Sequence, residues 1–188
     1  MITPDPDLGG PLDMRVAGFA LSPLAPADAH DLFAHFADAR VVEFMDIAPL
    51  CQVEQAHAIV DWAVGQRALG AGVRWAIRDR AGAFVGTCGF NRLVVERGRL
   101  GEVAYDLGHD WWGRGVMTAI LPALIDFALG RLSLHRLEAL VTPGNDRSCR
   151  LLERHGFMRE GVLRGHGYWK GRYWDQIVYS RVAVGNLS

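Results

Sequence analysis

Residues 101–117 constrain the fold more than any other part of this sequence, because a strand pattern runs directly into a glycine turn and a helix pattern. Residues 102–107 alternate apolar and polar side chains as a half-buried strand does. Gly113 and Gly115 then end the alternation, and an apolar run typical of a helix continues to about residue 129. At such a junction the N–H groups of the first helical turn point outward and the helix dipole adds positive potential. The pattern therefore predicts a phosphate or pyrophosphate site, with plain turn chemistry as the alternative.

The elements on either side of this junction indicate a single mixed α/β domain. Two antiparallel links, with turns at residues 79–82 and 96–99, precede the glycine turn and argue against a doubly wound nucleotide fold. Residues 1–13 are rich in proline and glycine and are expected to form a flexible leader before a domain at residues 14–184. The predicted order is β-α-α-β-β-β-α-β-α-β-β, with strands at residues 15–21, 73–78, 83–95, 102–107, 135–141, 157–167 and 173–184, and helices at residues 26–39, 52–69, 116–129 and 145–155.

Composition and charge argue against several classes of partner. The formal net charge is −1 and no run of lysine or arginine occurs, so no overall basic field would recruit nucleic acid. No segment has the apolar length of a membrane span, and the acidic, proline-rich start is unlike a signal peptide. Three scattered cysteines indicate reduced thiols and a cytoplasmic protein, and seven histidines without ligand spacing predict no metal. The aromatic and basic run 166–174 is interpreted as a hairpin beside an acceptor cleft rather than as a stacking surface for nucleic acid.

Three ordered motifs resemble those of the GNAT superfamily of acyl-CoA-dependent N-acyltransferases. Residues 112–117, W-G-R-G-V-M, resemble its acetyl-CoA pyrophosphate loop, although Trp112 stands where Gln or Arg is usual and Met117 where Gly or Ala is usual. Residues 145–157, N-x-x-S-x-x-L-L-E-x-x-G-F, resemble the segment along the pantetheine arm. Residues 168–179 resemble the ending of the branch that contains the Rim-type ribosomal-protein N-terminal acetyltransferases.

The resemblance implies a single GNAT-like domain whose mostly antiparallel sheet is flanked by helices and splays between the predicted fourth and fifth strands. It implies acetyl-CoA as cosubstrate, held by backbone N–H groups of the glycine turn and by the exposed edge of the fourth strand. A backbone N–H near Ala104 or Tyr105 is expected to donate to the thioester carbonyl. Asn145 is expected mainly to cap its helix. The residues expected to contact acetyl-CoA are Ala104, Tyr105, Leu107, Trp112, Gly113, Arg114, Gly115, Val116, Met117, Thr118, Asn145 and Ser148.

Candidate catalytic residues follow from what acetyl transfer to an amine requires. Glu102 resembles the position of a catalytic glutamate in some superfamily members and is the first candidate for general base, acting directly or through water, with a solvated strand residue as the alternative. The base carboxylate proposed in some Rim-like members falls at Gly167 here, and the adjacent His166 is a candidate base by residue type but should face the opposite side of its strand. Ser148 is expected to hydrogen-bond or protonate the departing sulfur, unless its hydroxyl only bonds the helix backbone. Cys149 has no evident activator as a nucleophile.

These features predict an acetyl-CoA-dependent N-acetyltransferase that acts on a primary amine by direct attack in a ternary complex. The favoured acceptor is a peptide or ribosomal-protein N-terminus, and a small amine such as an amino acid, polyamine or aminoglycoside is the alternative. Two alternatives come from other functional classes: a non-catalytic acyl-CoA-binding module and a nucleic-acid-binding protein. A monomer or homodimer is expected, with no metal, nucleic-acid or membrane partner.

Overall fold

The computed structural model describes residue 8, residues 10–95 and residues 98–183. The strands are Met14–Val16 (β1), Phe19–Pro23 (β2), Val73–Arg78 (β3), Phe84–Val94 (β4), Leu100–Leu107 (β5), Arg136–Val141 (β6), Met158–Trp169 (β7) and Arg172–Val182 (β8). The α-helices are Ala29–Phe36 (α1), Val53–Ala68 (α2), Val116–Asp126 (α3) and Asp146–Arg154 (α4). Short 3₁₀ turns at Pro26–Asp28 and His109–Trp111 and a π-helical turn at Phe127–Arg131 complete the order.

The eight strands form one mixed sheet in the order β1-β2-β3-β4-β5-β6-β8-β7. Every neighbouring pair is antiparallel except β5 and β6, which are parallel. Their pairing has three rungs, the last of which joins Glu102 to Glu138. Beyond this rung β5 continues to Leu107 and β6 to Val141, and the two strands diverge. The predicted α/β class and the splay between the predicted fourth and fifth strands, here β5 and β6, are therefore confirmed.

The N-terminal part of the sheet differs from the prediction of one strand at residues 15–21. Two short strands, β1 and β2, form a hairpin there, because Ala17 and Gly18 adopt positive φ angles of 52° and 89°. Positive φ at both central residues gives the two-residue turn whose twist matches that of the flanking strands. Lys170 and Gly171, with φ angles of 51° and 78°, form the same kind of turn between β7 and β8.

Helices cover both faces of the sheet, and alternation along the strands assigns each side chain to one face. On one face Trp75 of β3 packs in the main core with Ile120 and Leu124 of α3. On the other face Ala76 of β3 packs against Ala63 of α2. Full burial of a large apolar side chain stabilises the fold by about 1.5–3 kcal/mol. The splayed strands therefore separate a side covered by α3 and α4 from a side that faces α1 and α2.

The predicted flexible leader at residues 1–13 falls mostly outside the described residues. Leu8 and Leu12, which are described, are buried in the main core. The Trp75 indole N–H donates to the Leu12 carbonyl oxygen at 2.7 Å, so this part of the segment is packed. The predicted turn residues 96 and 97 and the predicted strand end at residue 184 also lie outside the described residues. No helix within the described ranges is both long and apolar enough to cross a membrane.

Candidate active site

The divergence of β5 from β6 exposes one edge of β5. From Val103 to Leu107 this edge has no strand neighbour among the described residues, whereas the other edge stays paired with β4 along the whole strand. An unpaired strand edge presents backbone N–H and C=O groups that can hydrogen-bond an extended chain. Ala104, Tyr105 and Leu107, which the sequence suggested as acetyl-CoA contacts, lie on this stretch.

The glycine turn follows β5 and ends in α3. Gly113 and Gly115 have positive φ angles of 72° and 75°, which residues with a Cβ rarely adopt. Apart from the glycine itself and its two chain neighbours, no described residue has a heavy atom within 4 Å of the place where either Cβ would stand. Val116 and Met117 are buried in the main core, so they offer only backbone groups to the outside, and Thr118 is exposed. The exposed start of α3 thus has the geometry that suits an anion.

Trp112 joins the end of β5 to the glycine turn. Its indole N–H donates to the Leu107 carbonyl oxygen at 2.8 Å. The guanidinium of Arg147, in the first turn of α4, lies 4.7 Å from the centroid of the Trp112 ring, and that of Arg114 lies 5.5 Å from the Trp111 ring. Within the described part of the chain neither guanidinium is paired with a carboxylate. Arg147 was missed by sequence reasoning, because only the fold brings the start of α4 to the glycine turn.

The start of α4 also approaches the open edge of β5. Asn145 caps the helix as predicted, since its side-chain oxygen accepts from the Ser148 backbone N–H at 3.2 Å. Ser148 Oγ lies 2.7 Å from the hydroxyl oxygen of Tyr105. The serine hydroxyl therefore bonds a side chain of β5 and not the helix backbone. Burial raises the pKa of Tyr105 to about 12, so this phenol is neutral at physiological pH.

A cavity of about 550 Å³ lies on the face of the splayed strands that is opposite to α4. Glu102 and Glu138, side by side on the last parallel rung, form part of its wall. Arg92 lies 3.8 Å from the Glu102 carboxylate and 3.9 Å from that of Glu138. His166 lines the same cavity, so the two candidates for general base are brought together. The rest of the lining comes from Glu160 and Gly161 of β7 and from apolar side chains of β6, β7 and β8: Leu140, Val162, Leu163 and Val178.

His166 reaches this cavity because β7 carries a bulge. Between residues 163 and 167 three residues of β7 stand opposite one residue of β8. The Gly165 N–H donates to the carboxylate of Asp175 at 2.8 Å and holds the bulge. Strict strand alternation fails at such a place. His166 therefore lines the candidate cavity, and its part in catalysis stays a prediction.

Gly167, where the resemblance located a base carboxylate in other proteins, has no room for a side chain. A Cβ at this position would overlap the ring of Trp169. Trp169 is stacked on Trp174, with ring centroids 5.7 Å apart and planes inclined by 2°. A carboxylate could enter here only by displacing this tryptophan pair.

A buried charge network lies beneath the open end of β5. Asp106 accepts hydrogen bonds from His35 Nε2 at 2.6 Å, from Arg74 Nη2 at 2.9 Å, and from the backbone N–H and hydroxyl of Thr87 at 3.0 and 2.6 Å. Burial alone would raise the pKa of Asp106, but the bonds from His35 and Thr87 and the charge of Arg74 outweigh it and hold the pKa below its usual value. Sequence reasoning missed this network, because Asp106 lies at a polar position of the strand pattern and its partners come from α1, β3 and β4.

The β7–β8 hairpin, which the aromatic run predicted, is tied to the segment that follows α1. Lys170 Nζ donates to the carbonyl oxygens of Val42 at 2.6 Å and Glu43 at 3.1 Å. Tyr168 and Tyr173 remain exposed at the tip, with ring centroids 5.1 Å apart. The hairpin is thus confirmed, and its place beside an acceptor stays a prediction.

Cysteine and metal chemistry find little support at this site. Burial raises the pKa of the Cys88 thiol to about 12, which makes it unreactive at physiological pH. Cys149 is partly buried against the main core. The described residues assemble no group of three or more His, Cys, Asp or Glu side chains that could hold a metal ion. The expected absence of a metal stays a prediction.

Comparison with known proteins identifies the class. The acetyltransferase (GNAT) domain family matches residues 19–158. The uncharacterised N-acetyltransferase p20 of Bacillus licheniformis is 36% identical over 154 residues, which are 81% of this chain and 86% of that protein. The ribosomal protein uS5-alanine N-acetyltransferase of Escherichia coli (strain K12) is 30% identical over 94 residues, 50% of this chain and 48% of that protein. RimL, a ribosomal L7/L12 α-N-protein acetyltransferase solved in complex with coenzyme A, has a TM-score of 0.79 at 20% identity, covering 89% of this chain and 98% of RimL.

These similarities and the splayed sheet define an acyltransferase. The chain belongs to the GNAT acetyltransferase family and is an N-acetyltransferase, as its motifs predicted. The likeness to RimL, at 20% identity, concerns the fold alone.

Proposed function

We propose that this protein transfers the acetyl group of acetyl-CoA to the primary amine of a protein N-terminus by direct attack in a ternary complex. The observation that carries the proposal is the arrangement around β5. An open backbone edge and a glycine turn lie on one side of the strand, and a cavity with Glu102 on its wall lies on the other. Acetyl-CoA and the amine would therefore approach the same strand from opposite sides.

The residues present fit acetyl-CoA. The N–H groups from Gly113 to Thr118 would hold the pyrophosphate, since the two glycines leave the space above the turn open. The guanidinium groups of Arg114 and Arg147 would add positive charge beside it. The edge of β5 from Ala104 to Leu107 would pair with the pantetheine arm. RimL, which has this fold, was solved in complex with coenzyme A, and this supports acetyl-CoA as the cosubstrate.

The chain supplies three groups for the reaction. When bound, acetyl-CoA supplies the acyl group as a thioester. A backbone N–H near Ala104 or Tyr105 would donate to the thioester oxygen, and loss of one such donor costs about 3 kcal/mol of transition-state stabilisation. Glu102 would take the amine proton, directly or through water, and His166 is the alternative base because it lines the same cavity. The hydroxyl of Ser148 would face the sulfur as it leaves.

The relatives support a protein acceptor over a small amine. The Escherichia coli relative is named for the alanine of ribosomal protein uS5, and RimL for the α-amine of ribosomal L7/L12. The size of the cavity favours a second candidate, because about 550 Å³ lies within the usual range for small ligands.

A thiol-release assay with acetyl-CoA tests the proposal. The acceptors are peptides with free N-terminal alanine, serine or methionine, the same peptides with blocked N-termini, and a panel of amino acids, polyamines and aminoglycosides. We expect release with free N-termini and none with blocked ones. Release with small amines alone would favour the second candidate. If none of the acceptors gives release although acetyl-CoA still binds, both candidates are excluded.

A further inference from the structure

One hydrogen bond joins the open edge of β5 to α4. The hydroxyl oxygen of Tyr105 lies 2.7 Å from Ser148 Oγ. Neither hydroxyl has another hydrogen-bond partner within the described part of the chain. The two groups hold two protons and share one hydrogen bond, so one hydroxyl proton is left for a third group.

The remaining proton belongs to Ser148 when Tyr105 is the donor. A phenol donates more strongly than an aliphatic alcohol, and burial keeps Tyr105 protonated, with its pKa raised to about 12. Asn145 accepts from the Ser148 backbone N–H at 3.2 Å, so contacts from two different elements restrict the serine. Its own proton is then free to point toward the space between β5 and α4.

We propose that Tyr105 is a positioning residue whose hydroxyl donates to Ser148 and thereby directs the serine proton toward the sulfur of the departing thiolate. The inference rests on the proposed function, since it requires coenzyme A between β5 and α4. It assigns a role to the Tyr105 side chain, whereas the resemblance concerned only the backbone at this position.

The role is hydrogen bonding and not proton transfer through the tyrosine. The bond between the acyl carbon and sulfur breaks with its electron pair on sulfur, and the thiolate takes its proton from water. An ordinary thiol has a pKa of about 8.5, far below the value of about 12 for Tyr105. Transfer of the tyrosine proton would therefore be uphill, and the pair stabilises charge on sulfur without changing its own protonation.

The bound thiol gives a readout other than turnover. Thiolate absorbance of the complex with coenzyme A, measured against pH, reports the thiol pKa, and subtraction of the complex with desulfo-coenzyme A removes the protein's own cysteines. We expect the pKa of the bound thiol to lie below that of free coenzyme A. It should rise by about half to one pH unit in Tyr105→Phe and in Ser148→Ala, because one net hydrogen bond has about that effect. An unchanged thiol pKa in Tyr105→Phe would overturn the proposal.

A double-mutant cycle on single-turnover rates separates positioning from a purely structural effect. Tyr105→Phe should slow acetyl transfer about threefold to tenfold, and cause no further loss when Ser148 is already alanine. Equal losses in both backgrounds would contradict the proposal. Tyr179→Phe is the matched control, because the Tyr179 hydroxyl donates to Glu153 of the same helix at 3.0 Å. This variant should leave the thiol pKa and the rate per folded molecule unchanged.

Two further measurements keep the outcomes distinct. Ser148→Thr retains a hydroxyl and should retain the lowered thiol pKa, which tests the pair even if Tyr105→Phe folds poorly. The rise in melting temperature on adding acetyl-CoA tests the proposed function separately. No rise in the parent protein would remove the proposed function. If acetyl-CoA raises the melting temperature of both the parent and Tyr105→Phe, both proteins bind it, and the thiol pKa alone then tests the role of Tyr105.

Discussion

The two ends of β5 carry carboxylates in opposite settings on the same face of the strand. Glu102, on the last rung shared with β6, lines a cavity, and its side chain is 22% exposed. Asp106, where β6 has diverged, is 5% exposed and accepts four hydrogen bonds. At the paired end a neighbouring strand holds the backbone, and the carboxylate faces the cavity beside Arg92. At the unpaired end a buried charge network holds the backbone.

The difference explains how an unpaired strand edge stays in place. Preorganised backbone donors stabilise a transition state only if they need not move during the reaction. The open end of β5 is fixed by β4 on one edge, by Asp106 on one face and by the Tyr105–Ser148 bond on the other. Substitutions at four residues, taken from the largest expected effect to the smallest, test this division between a structural end and a proposed catalytic end.

Asp106→Ala should cost the most stability. It leaves the buried groups His35 and Arg74 without their carboxylate partner, and breaking a buried pair in this way costs about 3–5 kcal/mol. Denaturant unfolding measures the loss. Asp38→Ala is the control, because its partner Arg40 is 59% exposed and solvent screens such surface pairs, so that they contribute little stability. Similar losses in the two variants would mean that Asp106 does not hold the open end.

The Asp106 network also predicts the sign of a pH effect. Burial would raise the pKa of Asp106, but the bonds from His35 and the charge of Arg74 hold it below the ordinary value of 3.8. The ionised carboxylate therefore contributes stability that is present above about pH 4 and is lost as pH falls through the folded-state pKa. The melting temperature of the parent should fall more steeply in acid than that of Asp106→Asn. Parallel melting profiles would contradict this assignment.

Ser148→Ala should reduce turnover by up to about tenfold with little change in acceptor affinity, because a hydrogen bond to the leaving sulfur strengthens only as charge develops in the transition state. Tyr179→Phe is the control, since it removes a hydrogen bond to Glu153 of the same helix and leaves the serine hydroxyl in place. Melting and single-turnover rate are measured on one preparation of each variant. A destabilised but fully active Ser148→Ala would exclude Ser148 from the mechanism.

Gly115→Val should weaken acetyl-CoA binding about tenfold. A β-branched residue at a φ of 75° is strained by about 1–2 kcal/mol, and its branches would cover the N–H groups proposed to hold the pyrophosphate. Calorimetric titration measures the affinity. Gly82→Val, in the β3–β4 turn with a φ of 85° and equally open surroundings, introduces similar strain outside the glycine turn. Unchanged affinity in Gly115→Val, or an equal loss in both, would show that the glycine turn is not the binding place.

Glu102→Gln should have the smallest and most conditional effect. A free α-amine has a pKa of about 7.7–8.0, so a base matters mainly at lower pH, where we expect turnover to fall about threefold to tenfold. Affinity for acetyl-CoA should stay intact. Glu138→Gln, on the same rung and in the same cavity, is the matched control for the change of charge. A pH–rate profile that overlays that of the parent would leave His166 or water as the base.

The sequence by itself determined the parts of the protein that are local along the chain. The strand, glycine turn and helix of residues 101–117 lie within 17 consecutive positions, and backbone geometry links each to the next. The cap Asn145 acts on a helix that begins at the next residue. Hairpin links before the glycine turn fixed the mixed α/β class, because short links force neighbouring strands to be antiparallel.

Only the tertiary structure decided which distant groups meet. The partners of Asp106 come from three other elements, and nothing in the pattern of residues 102–107 distinguishes its buried carboxylate from a solvated one. The bulge that turns His166 into the cavity depends on pairing between β7 and β8, and the contact of Tyr105 with Ser148 spans 43 positions. Alternation and helical periodicity report which face of an element is buried, but contacts between elements depend on their relative placement, which is fixed only when the whole core packs.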